Sequence, residues 1–221
     1  HFEPHSRQLA GFGDRFSLAL VDPNAVGPEQ LKGLAYDVCM YEQMGCLSPQ
    51  AILLLTDQWE AVENFCNAFA DAMAKMSEQL PVGRRTPAQH AAVQQWRGAL
   101  AARRAAGEKI ILLRSGGTEW TVAAAEHVDL NERVACRFAR VWPIASLPNA
   151  MSILHRFERQ LQSLATSLTL EETESFVLQF TGIDSPCKHI QITSPGLMQK
   201  PIFGWMDNDA SWFEVTRALI A

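Results

Sequence analysis

Residues 42–50 read EQMGCLSPQ, and Cys46 lies there where an amphipathic stretch stops, between Gly45 and a Leu47-Ser48-Pro49 turn. Buried cysteine is among the commonest core residues, and Cys39, Cys66, Cys136 and Cys187 read that way. Cys46 differs in having a glycine beside it, which lets another backbone or a ligand approach closely. A thiolate held in such a turn, with backbone N–H groups nearby to receive an oxyanion, meets the needs of acyl transfer. Gln43 and Ser48 are candidates for lining the thiol pocket, with a helix-end hydrogen bond and a turn cap as ordinary alternatives. Glu42 reads as a solvated helix residue rather than as a base for the thiol.

The remaining polar residues point to little else. Apart from His1 and His5, which stand four apart at the start of the chain, histidines 90, 127, 155 and 189 show no HxxxH or HExxH spacing, and no metal site is expected. His189, close to an irregular stretch at 194–209, is the histidine to inspect for a role near the thiol. Trp205 and Met206, inside that stretch, are candidates for an acyl tunnel or for simple loop packing. Arg97, Arg103 and Arg104 read as a charged helix face. The 5 cysteines are odd in number and never form CxxC, which argues against a disulfide framework and a four-thiolate zinc site. A reducing, cytoplasmic setting is expected. The formal charge of −5 gives no basic footprint for nucleic acid. No window approaches the roughly 20 apolar residues that span a bilayer, and the first ten residues lack the apolar core of a signal peptide.

The elements that must position Cys46 follow from hydrophobic patterning. With 48% hydrophobic and 19% charged residues over 221 positions, the chain is globular and long enough for one sizeable domain. Phe16–Val21 is an apolar run suited to a buried strand. Residues 28–44 carry Leu31, Leu34, Ala35, Val38 and Tyr41 at helical spacing, with Gly45 as terminator. Residues 51–55 read as the next buried strand. Helices are expected over 59–80 and 86–106, the latter opening on a Thr86-Pro87 cap. Strands are expected at 110–113, 120–124 and Phe138–Ile144. Then follow a helix over 148–164, a strand over 166–170, a helix over 171–180, a strand over 188–193 and a closing helix over 211–220. Alternating strands and helices predict an α/β domain of three-layer αβα type around a mostly parallel open sheet.

On these residues the chain resembles LuxC-type long-chain acyl-CoA reductases of the aldehyde dehydrogenase superfamily. The run Asp37…Tyr41-Glu42-Gln43-Met44-Gly45-Cys46-Leu47-Ser48-Pro49-Gln50 is similar to that family's active-cysteine segment. Gly13-Asp14-Arg15-Phe16-Ser17 ahead of a strand, and Pro195-Gly196, Pro201, Trp205, Asp207 and Arg217 near the end, extend the likeness. The resemblance implies an aldehyde-dehydrogenase-like catalytic domain in which Cys46 takes the acyl group of an acyl-CoA. Hydride from NADPH would then release a fatty aldehyde. It implies the Cys46 N–H as one oxyanion donor. Hydrolytic members of the superfamily carry a water-activating glutamate where this chain has Gly11, with Asp14 three residues on; its loss favours thioester reduction. The glutamate for the nicotinamide ribose is likewise missing from Ala135-Cys136-Arg137-Phe138-Ala139-Arg140. Arg137 and Arg140 are candidates for touching the cofactor, with surface or sheet-edge positions as the ordinary alternative.

No glycine-rich phosphate turn is legible: Gly11-Phe12-Gly13 precedes a strand, and Gly116-Gly117 leads to no helix. The expectation is one catalytic domain over 1–221, the later portion of a longer protein whose N-terminal nucleotide-binding domain supplies most of the NADPH site. A homo-oligomer and acyl-transferring partner proteins are expected alongside acyl-CoA. The rival readings are a short-chain acylating aldehyde dehydrogenase and a non-catalytic assembly domain.

Overall fold

The structure, a computed structural model, describes residues 15–158, 160–180 and 190–200. Its elements in chain order are β1 (Phe16–Val21), α1 (Pro28–Cys39), a 3-10 turn (Met40–Gln43), β2 (Pro49–Leu55), α2 (Trp59–Gln79) and α3 (Pro87–Ala105). There follow β3 (Ile110–Arg114), β4 (Thr121–Ala125), β5 (Phe138–Ile144), α4 (Leu147–Arg156), β6 (Leu161–Thr166), α5 (Leu170–Phe180) and β7 (Gln191–Thr193). The seven strands form one sheet in the order β3-β4-β5-β2-β1-β6-β7. Every pairing is parallel except β3 with β4.

Side-chain alternation assigns the helices to layers. Ala19, Val21, Ile52, Leu54, Val122, Ala124, Ala139 and Val141 face one side, where Leu34, Val38, Phe65, Phe69 and Met73 of α1 and α2 cover them. Leu18, Leu20, Leu53 and Leu164 face the other side, against Ala150 and Leu154 of α4 and Phe176 of α5. Val93 and Trp96 of α3 cover Ala123 and Phe138 on that second side. This is the three-layer α/β arrangement with a mostly parallel open sheet. Strands buried on both faces must read as continuous apolar runs, which is why FSLALV and AILLL were legible.

Local chemistry fixes several ends. Thr86 Oγ1 accepts from the Gln89 N–H at 3.2 Å, and Gln89 Oε1 accepts from the Thr86 N–H at 2.8 Å, a reciprocal cap on α3. Thr169 and Glu172 form the same device on α5.

The structure departs from the sequence reading in two places. The helix expected over 148–164 ends at Arg156, and residues 161–166 are strand; the strand expected over 166–170 is a connection. Leu154, Phe157, Leu161, Leu164 and Leu168 recur at helical spacing, so the period alone favours helix. Pairing with β1 on one side and β7 on the other overrides it. The helix expected over 28–44 ends at Cys39, with consequences for the site. The helix expected over 211–220 lies outside the described residues, as do Pro201, Trp205, Met206, Asp207 and Arg217.

The 194–199 turn docks directly on α1. Gly196 has φ +95°, and a Cβ at Gly33 would sit 2.5 Å from the Pro195 carbonyl oxygen. Gly33→Ala therefore opposes two effects. Helix propensity favours alanine by about 1 kcal/mol, whereas overpacking costs about 1–3 kcal/mol. The contact is with backbone, so the variant is expected to melt at lower temperature by calorimetry; a higher midpoint would show that the turn does not bear on Gly33.

Candidate active site

Cys46 is exposed, unlike Cys39, Cys66 and Cys136, which are buried. It sits at the amino-terminal ends of β1, β2 and β5. Open α/β sheets usually bind ligands at the carboxyl ends of their strands, so this site uses the opposite edge. The turn carrying it is fixed on both sides. The Ser17 hydroxyl of β1 donates to the Cys46 carbonyl at 2.8 Å. The Ser48 N–H donates to the Gly45 carbonyl at 3.0 Å. A trans peptide is planar with its C=O and N–H opposed. Pointing the Gly45 oxygen into the turn therefore points the Cys46 N–H out of it.

The segment leading to the turn has an uncommon backbone. After α1 ends, Tyr41, Glu42 and Gln43 have φ of 51°, 56° and 60°. Left-handed backbone costs an ordinary residue about 1–2 kcal/mol. Facing this run, Cys136 and Arg137 are also left-handed, at 63° and 60°. The two stretches are stitched together: the Cys136 N–H donates to the Glu42 carbonyl at 2.8 Å. The Gln43 amide donates to the Pro49 and Phe138 carbonyls at 2.9 and 3.1 Å and accepts from the Phe138 N–H at 2.7 Å. Gln50 continues the seam, accepting from the Val134 N–H at 3.0 Å.

These contacts revise three readings. Glu42 is no solvated helix residue: its carboxylate accepts from Arg137 at 2.6 Å and from Arg85 at 2.5 and 2.9 Å. Arg137 and Arg140 are buried rather than at the surface. Arg140 donates to the Gln50, Asp129 and Glu132 carbonyls, and burial brings its pKa down to about 10. Arg97 leaves the charged helix face for the interior, where it binds Thr121 Oγ1 and the Gly117 and Trp120 carbonyls, while Arg103 pairs with Glu108 outside. Arg97 lies four residues after the buried Val93, so its face was legible from spacing.

Of the proposed pocket residues, Gln43 borders a cleft of about 280 Å³ beside Gly45, shared with Phe16, Met44, Gln50 and Val134. Its amide is committed to the strands. The Ser48 hydroxyl accepts from Gln199 at 3.1 Å, which ties the thiol turn to the 194–199 turn. His189, Cys187, Gly11 and Asp14 lie outside the described residues. Among the described residues no group of three or more His, Cys, Asp or Glu could hold a metal ion. Gly116 and Gly117 turn the antiparallel β3–β4 hairpin, with Ser115 bonded back to Trp120, rather than opening a helix.

Sequence patterning passed over Asp37, although it sits three residues after the buried Leu34, on the apolar face of α1. It is fully buried and accepts from the Gly196 N–H at 2.5 Å. Gln199 reaches its carbonyl at 3.3 Å as well as Ser48. Burial pushes the Asp37 carboxyl up to about 7, against the pull of the Gly196, Met198 and Gln199 amides and the charge of Lys200.

The architecture places the chain in a recognisable class. It superposes on lactaldehyde dehydrogenase from Escherichia coli with TM-score 0.55 and 11% identity, covering 91% of this chain and 43% of that one. Methylmalonate-semialdehyde dehydrogenase DddC from Oceanimonas doudoroffii gives 0.54 and 13%, over 81% and 39%. AldH from Staphylococcus aureus gives 0.56 and 14%, over 84% and 41%. The fold is that of the aldehyde dehydrogenases. Within it, residues 2–205 match the acyl-CoA reductase (LuxC) family, and the chain belongs to that family. It is 22% identical over 166 residues to long-chain acyl-protein thioester reductase 2 from Photobacterium leiognathi, across 73% of this chain and 32% of that relative. The chain thus spans about a third of the curated relative's length. No described helix is long and apolar enough to cross a membrane.

Asp37 sets a pH dependence with a definite sign. Its folded value of about 7 lies above the ordinary 3.8, so across that window the native state holds a proton that the unfolded chain has lost. Stability contributed by this group is therefore present at low pH and lost as pH rises towards 7. Asp37→Asn keeps an oxygen for the Gly196 N–H and removes the titration. The melting temperature of the variant relative to wild type should climb between pH 5 and 7.5 and level off above; a constant difference would contradict it.

Proposed function

We propose that the chain is the catalytic domain of a fatty acyl-CoA reductase, and that Cys46 is its acyl-accepting nucleophile. The observation that carries this reading is an exposed thiol on a doubly anchored turn, with its own N–H aimed outward, in a chain of the acyl-CoA reductase family. The Cys46 thiolate adds to the thioester carbonyl. The Cys46 N–H donates to the oxygen that becomes negative. Collapse breaks the carbon–sulfur bond to coenzyme A, which leaves as thiolate, and the acyl group stays on Cys46 as a new thioester.

One feature supports transfer to a reductant rather than to water, and another supports a long acyl chain. Gly11 stands in the sequence where hydrolytic relatives carry their base. Tyr41 and Met44, both exposed beside the thiol turn, offer apolar contact to a long acyl chain. The described residues do not fit a dinucleotide's phosphates, since the Gly116-Gly117 pair turns a hairpin and opens no helix. We therefore assign most of the NADPH site to sequence outside them. An acyl group carried on a partner protein, as the name of the Photobacterium relative describes, would meet the same thiol chemistry.

Incubating the protein with palmitoyl-CoA should add one acyl mass, removed by hydroxylamine and mapped to Cys46 by peptide mass. Cys46→Ala should lower adduct formation by about 100-fold or more. An adduct that persists in Cys46→Ala would remove Cys46 from the reaction.

A further inference from the structure

We propose that Glu42, clamped between Arg85 and Arg137, is a positioning residue for Cys46: it holds the left-handed turn that presents the thiol and its N–H. This rests on Cys46 being the acyl acceptor.

Three consecutive non-glycine residues at φ 51–60° lead into the Gly45-Cys46 turn. Local sequence gives them no reason to stay there, since none is glycine or asparagine, the residues that adopt this backbone readily. The conformation must be imposed from outside. Gln43 imposes part of it through β2 and β5. The Glu42 carboxylate imposes the rest, tying the left-handed run to the α2–α3 linker and the β3–β4 hairpin through its two arginines. Its Oε1 accepts from Arg137 at 2.6 Å and from the Gly83 N–H at 3.3 Å. Its Oε2 accepts from two nitrogens of Arg85.

Each arginine is anchored in turn. Arg137 donates to the Leu80 and Pro81 carbonyls, at the end of α2 and in the linker after it. Arg85 donates to the Thr118 and Glu119 carbonyls of the β3–β4 hairpin. One carboxylate therefore joins the thiol turn, the α2–α3 linker, the β3–β4 hairpin and the start of β5.

The side chains are close to fully enclosed, with 1% of Arg85, 3% of Arg137 and 14% of Glu42 exposed. A planar guanidinium presents fixed donors, so two of them define the carboxylate's position tightly. Glu42 is four residues from Cys46 and its carboxylate faces away into this cluster. It is not a base for the thiol. Loss of the carboxylate charge releases the run towards right-handed backbone and turns the Cys46 peptide off its aim.

Two readouts on the purified protein test this, with Glu42→Gln as the first variant and Arg85→Lys as the second should the first not fold. Saturation of Cys46 acylation by palmitoyl-CoA gives a maximal rate and a half-saturating concentration separately. The maximal rate should fall by about 10- to 100-fold, the scale of an ångström's misplacement, with half-saturation changed by less than about twofold; Glu42→Asp should recover part of the loss. The second readout is the ¹⁹F spectrum of protein labelled with bromotrifluoroacetone, with the Cys46 resonance assigned by its absence in Cys46→Ala. Wild type should show one narrow line and the variants a broadened or divided one. Folded variants with a wild-type acylation rate and a single unshifted line would overturn the inference. A wild type that is labelled at Cys46 but never acylated would overturn the acyl-acceptor reading alone, and the line shape would still decide the positioning role.

Discussion

A backbone held left-handed over three ordinary residues is the constraint on which this site depends. Each such residue costs about 1–2 kcal/mol, comparable with what a hydrogen bond to a charged group returns. Residues 41–43 therefore stay where they are only while their partners do. Those partners lie far along the chain: Phe138 for Gln43, Arg137 and Arg85 for Glu42, Cys136 for the Glu42 carbonyl. Strain of this kind gathers at functional sites because surroundings must over-determine it. The surroundings here are the amino ends of three neighbouring parallel strands and the linkers that cross them.

The location explains the choice of residue types. At the amino end of a parallel strand the chain arrives from a connection and must be steered into register. Gln43 and Gln50 do this with side-chain amides, because buried backbone groups at the ends of strands need partners. Ser17 does the same from β1. The thiol itself is left exposed. Rigidity comes from the peptides on either side of Cys46.

Much of the frame was legible because its physics is local or periodic. FSLALV, AILLL and FARVWPI announce buried strands, and Thr86-Pro87 announces a helix start. Cys46 stood out from the glycine and turn beside it. What was not legible depended on partners remote in sequence. Nothing in Tyr41-Glu42-Gln43 signals positive φ, so periodicity alone continues the helix through them and leaves Glu42 to solvent. LQSLAT carries leucines at helical spacing and becomes a strand only because β1 has a free edge beside it. Arg137 and Arg140 look like surface residues until the carbonyls they bind are in place. Asp37 and Arg97 are the instructive cases, since each stands at a helical spacing from a core residue, and a charge on an apolar face was the available signal.

The long-range stitching has a consequence for how the molecule assembles. The bonds that shape the thiol turn join residues 95 apart for Gln43 with Phe138 and Glu42 with Arg137, and 151 apart for Gln199 with Ser48. Contacts so distant in sequence form late, because loop closure must precede them. During synthesis, residues 41–46 emerge long before β5 exists to receive them. In that interval Cys46 is an ordinary thiol on a relaxed chain. The turn around Cys46 takes its shape from the completed sheet, and β5 must be in place before it forms.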